Sequence, residues 1–95
     1  WDETRFIDGF PGDYICLARR KGENWYIAGI NSGAERKIDI PLDFIRDGKY
    51  DIEIYEDKPG EEMTDLQIRK ATVTKNSSLP VNMMANGGFC TIIEQ

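Results

Sequence analysis

The side chains that could carry acid–base chemistry in this chain are mainly carboxylates, because histidine is absent. Without histidine there is no Ser-His-Asp triad, no Cys-His pair and no zinc site of the HExxH type. Two carboxyl groups alone can hydrolyse a glycosidic bond when they lie about 5 Å or ~6.5–9.5 Å apart. The acidic residues Asp57, Glu61, Glu62 and Asp65 lie in or beside a Pro-Gly loop, where solvated acids are ordinary. We therefore expect a surface loop there, and no catalytic residue in this chain.

The same four acidic residues are the candidates for a Ca²⁺ site, because Ca²⁺ takes roughly six to eight oxygen ligands. Their order does not follow the D-x-D-x-D-G pattern of a calcium-binding loop. The sequence therefore predicts no metal site and no cofactor in this chain.

Cys16 and Cys90 lie in the first and the last of the clear strand patterns. In an exported protein they could form a disulfide if those strands are neighbours, with Cβ atoms about 3.5–4.5 Å apart. Their apolar sequence neighbours favour the alternative, two buried free thiols, and the question stays open. A nucleophilic cysteine is not expected, because no base is available to activate it.

Trp25 and Tyr26 are the candidates for a surface that stacks on sugar rings. Consecutive residues of a strand point to opposite faces, so one of the two belongs to the core and the other can face outward. A carbohydrate-binding module that presents Trp25 or Tyr26 to an oligosaccharide is therefore the alternative function.

Composition restricts the partners further. The 95 residues include 17 acidic and 12 basic side chains, with a net charge of −5. A nucleic-acid surface needs the opposite sign, so nucleic acid is not an expected partner. No apolar run approaches the ~20 residues of a membrane-spanning helix, so a membrane is not expected either. The length suits one small domain.

Short alternating runs separated by turn signals predict the elements that position these residues. Residues 50–55 alternate apolar and acidic side chains, which is typical of a half-buried antiparallel strand. Further strand patterns cover residues 14–20, 25–30, 38–42, 67–74, 81–84 and 89–94. This spacing predicts an all-β fold, a small antiparallel β-sandwich of about seven to eight strands.

Four segments resemble the C-terminal domain of glycoside hydrolase family 97, a family of bacterial α-glucosidases and α-galactosidases. They are WDETRFIDGFPGDYICLARRKG, NWYIAGIN, DGKYDIEIYED and NGGFCTIIE. The resemblance implies a parent enzyme with an N-terminal β-sandwich, a central (β/α)₈ barrel and this C-terminal sandwich. It places the catalytic carboxylates and the Ca²⁺ ligands in the barrel, so none of them maps onto this chain. It also implies a periplasmic or exported protein.

The chain starts at Trp1 rather than at Met, which favours a piece of a longer polypeptide. We expect residues 1–13 to lead in from the catalytic barrel and residues 14–95 to form the sandwich domain. Apolar area for packing between the two domains would come from Trp1, Phe6, Ile7 and Phe10. The expected function is that of a non-catalytic domain, which packs on the barrel of an α-glycosidase and stabilises it.

Overall fold

The structure is a computed structural model that describes residues 1–57 and 66–95, without the side chains of Asp57 and Leu66. These residues contain no helix, and all strand pairs are antiparallel. The eight strands are β1 Glu3–Phe10, β2 Tyr14–Lys21, β3 Asn24–Asn31, β4 Arg36–Pro41, β5 Tyr50–Asp57, β6 Leu66–Val73, β7 Ser78–Met83 and β8 Gly88–Ile93. The predicted all-β sandwich is therefore confirmed.

Six of the strands form one sheet in the order β1-β2-β3-β8-β5-β6, and β4 pairs with β7 in a second, smaller sheet. We call the side of the large sheet that faces β4 and β7 the inner face, and the opposite side the outer face. β8 lies between β3 and β5, although it follows every other strand in the sequence. β8 thus joins the three consecutive strands β1–β2–β3 to the pair β5–β6.

The core lies between the two sheets and follows from period-2 alternation. Ile52 and Ile54 of β5 point inward and are buried, whereas Asp51 and Glu53 point outward and are exposed. Gly29 of β3 lets the core close tightly, because a Cβ atom there would stand 2.5 Å from the Phe89 ring. The other buried apolar residues are Cys16, Ala18, Trp25, Ile27, Ile38, Ile40, Leu42, Ile45, Val73, Leu79, Val81, Met83, Phe89 and Ile93.

Residues 3–10 are part of the sheet rather than only a segment that leads into it. Strand β1 pairs with β2 along its whole length, and the register shifts between Phe6 and Asp8. That irregularity is a bulge, and it breaks the alternation by which a strand is recognised in a sequence. Whether residues 1–13 follow a catalytic barrel stays a prediction.

Candidate interaction surface

The outer face of the large sheet carries an apolar row that crosses all six strands. In each neighbouring pair of strands, one residue of this row lies opposite the next. We call the row the apolar band; its members in sheet order are Phe6, Leu17, Ala28, Cys90, Tyr55 and Ile68. Five of the six are exposed, with 64% of Phe6 and 59% of Ile68 accessible, and Leu17 is half-buried.

Further apolar side chains extend the band in both directions along the strands. Ile15 lies opposite Ile30 on one side of it, and the two are 43% and 68% exposed. Ile92, on the other side, is also exposed. An antiparallel sheet with one solvated face normally carries polar side chains on that face. A contiguous apolar surface of this kind marks an interaction site.

A depression of about 390 Å³ lies where the band meets the β1–β2 turn. Phe6, Phe10, Ile15 and Ile30 supply its apolar lining. Gly9 also lines it, and a Cβ atom there would come within 2.9 Å of the Tyr14 carbonyl oxygen and 3.1 Å of the Phe6 ring. The depression therefore depends on glycine at this position, and it continues the apolar band toward the end of the sheet.

Charged residues of both signs lie toward one end of the outer face, and Lys70 of β6 lies opposite Glu53 there. Arg19 and Lys21 of β2 are exposed at this end, as are Asp51 and Glu53 of β5. The phenol of Tyr55 donates a hydrogen bond to Glu53 Oε2 at 3.3 Å. The negative charge of Glu53 raises the pKa of Tyr55, so this phenol stays neutral in ordinary buffers. The charges of the outer face thus lie beside the apolar band toward one end of the strands, and the opposite end carries Ile15 and Ile30.

The two candidate sugar-stacking residues point to opposite faces, as the alternation requires. Trp25 is buried on the inner face, and its ring meets the Phe44 ring edge-on at 4.6 Å. Trp25 therefore cannot stack on a sugar ring in this structure. Tyr26 lies on the outer face, where it is half-buried and meets the Trp1 ring at 5.0 Å in an edge-to-face contact. The exposed aromatic surface at this point is mainly that of Trp1, which is 62% accessible.

The residues expected to pack against another domain divide into two groups. Trp1, Phe6 and Phe10 are all more than 60% exposed, at 62%, 64% and 66%, so their side chains are available to a partner. Ile7 is half-buried and packs against the core of this domain, because it follows the outward-facing Phe6 and so points to the inner face. The packing role of the first three stays a prediction, and Ile7 belongs mainly to the core.

The two cysteines are both free, and they lie on opposite faces of the sheet. Cys16 is buried on the inner face, and burial raises its pKa to about 12. Cys90 belongs to the exposed apolar band, so the expectation of two buried thiols is wrong for this residue. Strand β3 separates β2 from β8, and this separation, together with the opposite orientation, keeps the two thiols from pairing.

Glu56 is a buried carboxylate that the sequence patterns did not reveal. It is fully inaccessible and accepts hydrogen bonds from Gln67 Nε2 at 2.7 Å, Arg69 Nε at 2.9 Å and the Asn82 backbone N–H at 3.2 Å. Arg69 also donates to the Pro80 carbonyl oxygen at 2.6 Å. Burial raises the pKa of Glu56, but the bonds from Arg69, Gln67 and Asn82 outweigh it and hold the pKa below its ordinary value. Glu56 is therefore an anion that links β5 and β6 to β7, not a proton donor for catalysis.

Residues 1–57 and 66–95 contain neither a cluster of metal ligands nor a membrane-spanning helix. This part of the chain holds no group of three or more Asp, Glu or Cys side chains arranged for a metal ion. It also has no helix whose length and apolar character would let it cross a bilayer. The candidate Ca²⁺ ligands Glu61, Glu62 and Asp65, and the side chain of Asp57, lie outside the described residues.

Comparison with known proteins gives consistent matches over nearly the whole chain. The family model described as glycosyl-hydrolase 97 C-terminal, oligomerisation, matches residues 1–94. The chain is 32% identical over 96 residues to a retaining α-galactosidase of Bacteroides thetaiotaomicron, a match that covers 99% of the chain and 14% of the enzyme. It is 33% identical over 93 residues to a probable retaining α-galactosidase of Streptomyces bingchenggensis, with 97% and 14% covered.

Solved structures give the same result. A glycoside hydrolase family 97 enzyme of Pseudoalteromonas sp. strain K8, in complex with panose, superimposes with a TM-score of 0.88 at 30% identity, covering 99% of this chain and 16% of the enzyme. A β-arabinopyranosidase superimposes with a TM-score of 0.79 at 33% identity, covering 97% and 14%. These matches confirm the family resemblance. Since the chain spans only 14% to 16% of these enzymes, it corresponds to a small non-catalytic domain of them.

Proposed function

Because the chain belongs to the family of glycoside hydrolase 97 C-terminal domains, we propose that it packs on the (β/α)₈ catalytic barrel of an α-glycosidase and stabilises that barrel. The observation that carries this proposal is the uncovered apolar band on the outer face of the large sheet. A contiguous exposed apolar face of this kind marks a site of interaction with another part of a protein.

The free energy expected from burying this face is large enough to hold two domains together. If about 300–400 Å² of apolar surface is buried, docking is stabilised by roughly 7–12 kcal/mol before ordering costs. Covalent linkage to the barrel lowers those costs, because the two surfaces meet at a high effective concentration. The domain then supports the enzyme without touching the glycosidic bond.

The activity of the whole polypeptide belongs to the same proposal. The two curated relatives are described as a retaining and a probable retaining α-galactosidase, which supports an α-galactoside substrate. Solved relatives in complex with panose and with acarbose support an α-glucoside instead. The family resemblance also supports catalytic carboxylates and bound Ca²⁺ in the barrel, and a periplasmic or exported enzyme in a bacterium.

The experiment compares three proteins: this chain alone, the polypeptide encoded by its complete reading frame, and that polypeptide without residues 1–95. Turnover of aryl α-glucosides and α-galactosides is measured together with the melting temperature. We expect activity only where the catalytic barrel is present, and a melting temperature lower by about 5 °C or more when this domain is removed. Turnover by the chain alone, or a melting temperature unchanged by the deletion, would contradict the proposal.

A carbohydrate-binding role is the second candidate, and the exposure of Trp1 beside Tyr26 on the outer face favours it. An aromatic pair of this kind offers a surface on which a sugar ring can stack. Titration of panose, maltodextrin or a galactoside fragment into the chain, followed by tryptophan fluorescence, tests it. A Trp1→Ala variant serves as the control, because Trp25 is buried and its signal should not respond. Flat traces at millimolar sugar would exclude this role.

A further inference from the structure

One edge of strand β7 pairs with β4, and the other edge pairs with no strand of residues 1–57 and 66–95. Alternate residues of a strand direct their N–H and C=O groups to the same side, so Ser78, Pro80 and Asn82 share one edge. That edge is the one away from β4, because the Asn82 N–H and the Pro80 carbonyl bond to side chains of β5 and β6. A strand edge without a partner strand is a template on which another chain can add a strand.

Two side chains of the large sheet occupy this edge. Glu56 Oε2 accepts a hydrogen bond from the Asn82 N–H at 3.2 Å, and Arg69 donates to the Pro80 carbonyl oxygen at 2.6 Å. The two side chains also bond to each other, with Arg69 Nε 2.9 Å from Glu56 Oε1. In a parallel pair of strands, one residue bonds in the same way to the carbonyl before its partner residue and to the N–H after it. Glu56 and Arg69, which we call the edge cap, thus take the place of one residue of a neighbouring strand, opposite Val81.

We propose that the edge cap keeps a second copy of this chain from pairing with β7. A two-fold axis at Val81 would set two β7 strands antiparallel, with Pro80 of each copy opposite Asn82 of the other. Because proline has no N–H, the middle of that pair would depend on two bonds, from the Asn82 N–H of each copy to the Pro80 carbonyl of the other. These are the two backbone groups that Glu56 and Arg69 hold. Without the edge cap, the two-stranded sheets of two copies could join into one sheet of four strands.

Stability alone does not account for the edge cap. Replacing a buried ion pair by apolar side chains of similar volume is often neutral or stabilising. Apolar side chains could fill the space beside β7, but they could neither accept from the Asn82 N–H nor donate to the Pro80 carbonyl. Pro80 itself acts at the same edge, because proline is a common protection of an edge strand against pairing. Two features of different chemistry therefore oppose strand addition at one place.

The test replaces both members of the edge cap by apolar side chains, Glu56→Met together with Arg69→Met. Self-association of the chain alone is measured by sedimentation velocity over a range of concentrations, and the contact is located by amide hydrogen exchange. We expect the double variant to associate at least tenfold more tightly than the parent chain. Exchange should slow on association within residues 78–83, because the freed backbone groups of β7 then bond to a second copy.

Two control proteins separate pairing at β7 from other causes of association. Glu53→Gln together with Lys70→Gln removes one acid and one base from the same two strands, at exposed positions opposite each other on the outer face. Ile54→Ala removes a fully buried side chain of the core and leaves the edge cap in place. Both controls should associate no more tightly than the parent chain. Equal association by Ile54→Ala, a double variant that associates like the parent, or protection confined to the outer face would each overturn the inference.

A measurement on the parent chain tests the inference even if the double variant does not fold. Because Glu56 accepts its hydrogen bond, the Asn82 N–H should exchange at least tenfold more slowly than an unprotected amide, although no strand of the described residues pairs with it on that side. Exchange at the rate of an unprotected amide would show that the edge is open, and would overturn the inference. Neither experiment involves the catalytic barrel, so the inference and the proposed function stand or fail separately.

Discussion

The two faces of the large sheet are built from alternate residues of the same six strands, yet the inner face is buried and the outer face is exposed. The inner face buries isoleucine, tryptophan and phenylalanine against β4 and β7, and the fully buried carboxylate of Glu56 has three hydrogen-bond donors there. The outer face exposes isoleucine, phenylalanine and tyrosine, with its charges toward one end of the strands. Apolar character alone therefore does not locate the core of this domain. What distinguishes the core is that another element of the same chain covers it.

The difference between the two faces is tested most strongly by replacing one isoleucine on each face with alanine. Ile54→Ala removes a fully buried side chain and leaves a cavity, so we expect the free energy of unfolding to fall by about 3–4 kcal/mol. Ile68→Ala removes a side chain that is 59% exposed, and the change should stay within about 0.5 kcal/mol. Urea denaturation of the chain alone measures both. A similar loss for the two variants would mean that the outer face is already covered in the free chain.

The ion pair between the buried Glu56 carboxylate and the partly exposed Arg69 gives the next largest effect. Arg69→Met leaves the Glu56 carboxylate buried with only Gln67 and the Asn82 backbone as partners, and we expect a loss of about 3 kcal/mol. Lys70→Met is the matched control on the neighbouring residue, which faces outward and is exposed. Its unfolding free energy should change by less than about 0.5 kcal/mol. Equal midpoints for the two variants in urea would show that Arg69 is not needed to hold the carboxylate.

A smaller effect is expected from adding one methyl group to the inner face. In Gly29→Ala the new Cβ atom would meet the Phe89 ring at 2.5 Å and the Met83 sulfur at 3.0 Å, so the core must shift. We expect a loss of about 1–3 kcal/mol. Ala28→Ser, on the outward-facing neighbour, should be nearly neutral. A neutral Gly29→Ala variant would show that the inner face has more free space than this structure gives it.

The dependence on pH should be the smallest effect, and it should belong to the inner face. Because the folded protein lowers the pKa of Glu56 below its ordinary value of 4.5, the carboxylate contributes stability that is fully present above that value. This contribution is lost as the pH falls through the lower pKa of the folded state. Glu56→Gln should therefore show a shallower decline in unfolding free energy below pH 4.5 than the parent chain. Parallel curves for the two proteins would contradict the assignment.

The alternation of apolar and polar residues along the sequence was sufficient to predict most of the strands. The alternation in residues 50–55 predicted both the strand and the face that each side chain occupies, because burial on one face is a local periodic property. Continued by one residue, the same alternation places Glu56 on the inner face, beside Arg69 and Gln67 of the paired strand. It was missed because a carboxylate is normally a signal for solvent. Strand β1 was missed because its bulge changes the phase between Phe6 and Asp8.

The interaction surface could not be predicted in the same way. The apolar band exists only because β8 lies between β3 and β5, which places Cys90 beside both Ala28 and Tyr55. No short-range pattern specifies which distant strands become neighbours. Whether the two cysteines can form a disulfide depends on the same strand order, because β3 separates the strands that carry them. The predicted set of contact residues therefore stopped at the first ten positions, whereas the exposed apolar surface extends to Ile68 on β6.

The central position of β8 has a consequence for biosynthesis. The ribosome delivers this strand after the other seven, so β1–β2–β3 and β5–β6 must wait as two incomplete sheets, each with an open edge that would pair with β8. Open edges of this kind invite mispairing between nascent chains. The large sheet can therefore be completed only after its last six-residue strand, Gly88–Ile93, has been translated and has paired with β3 and β5.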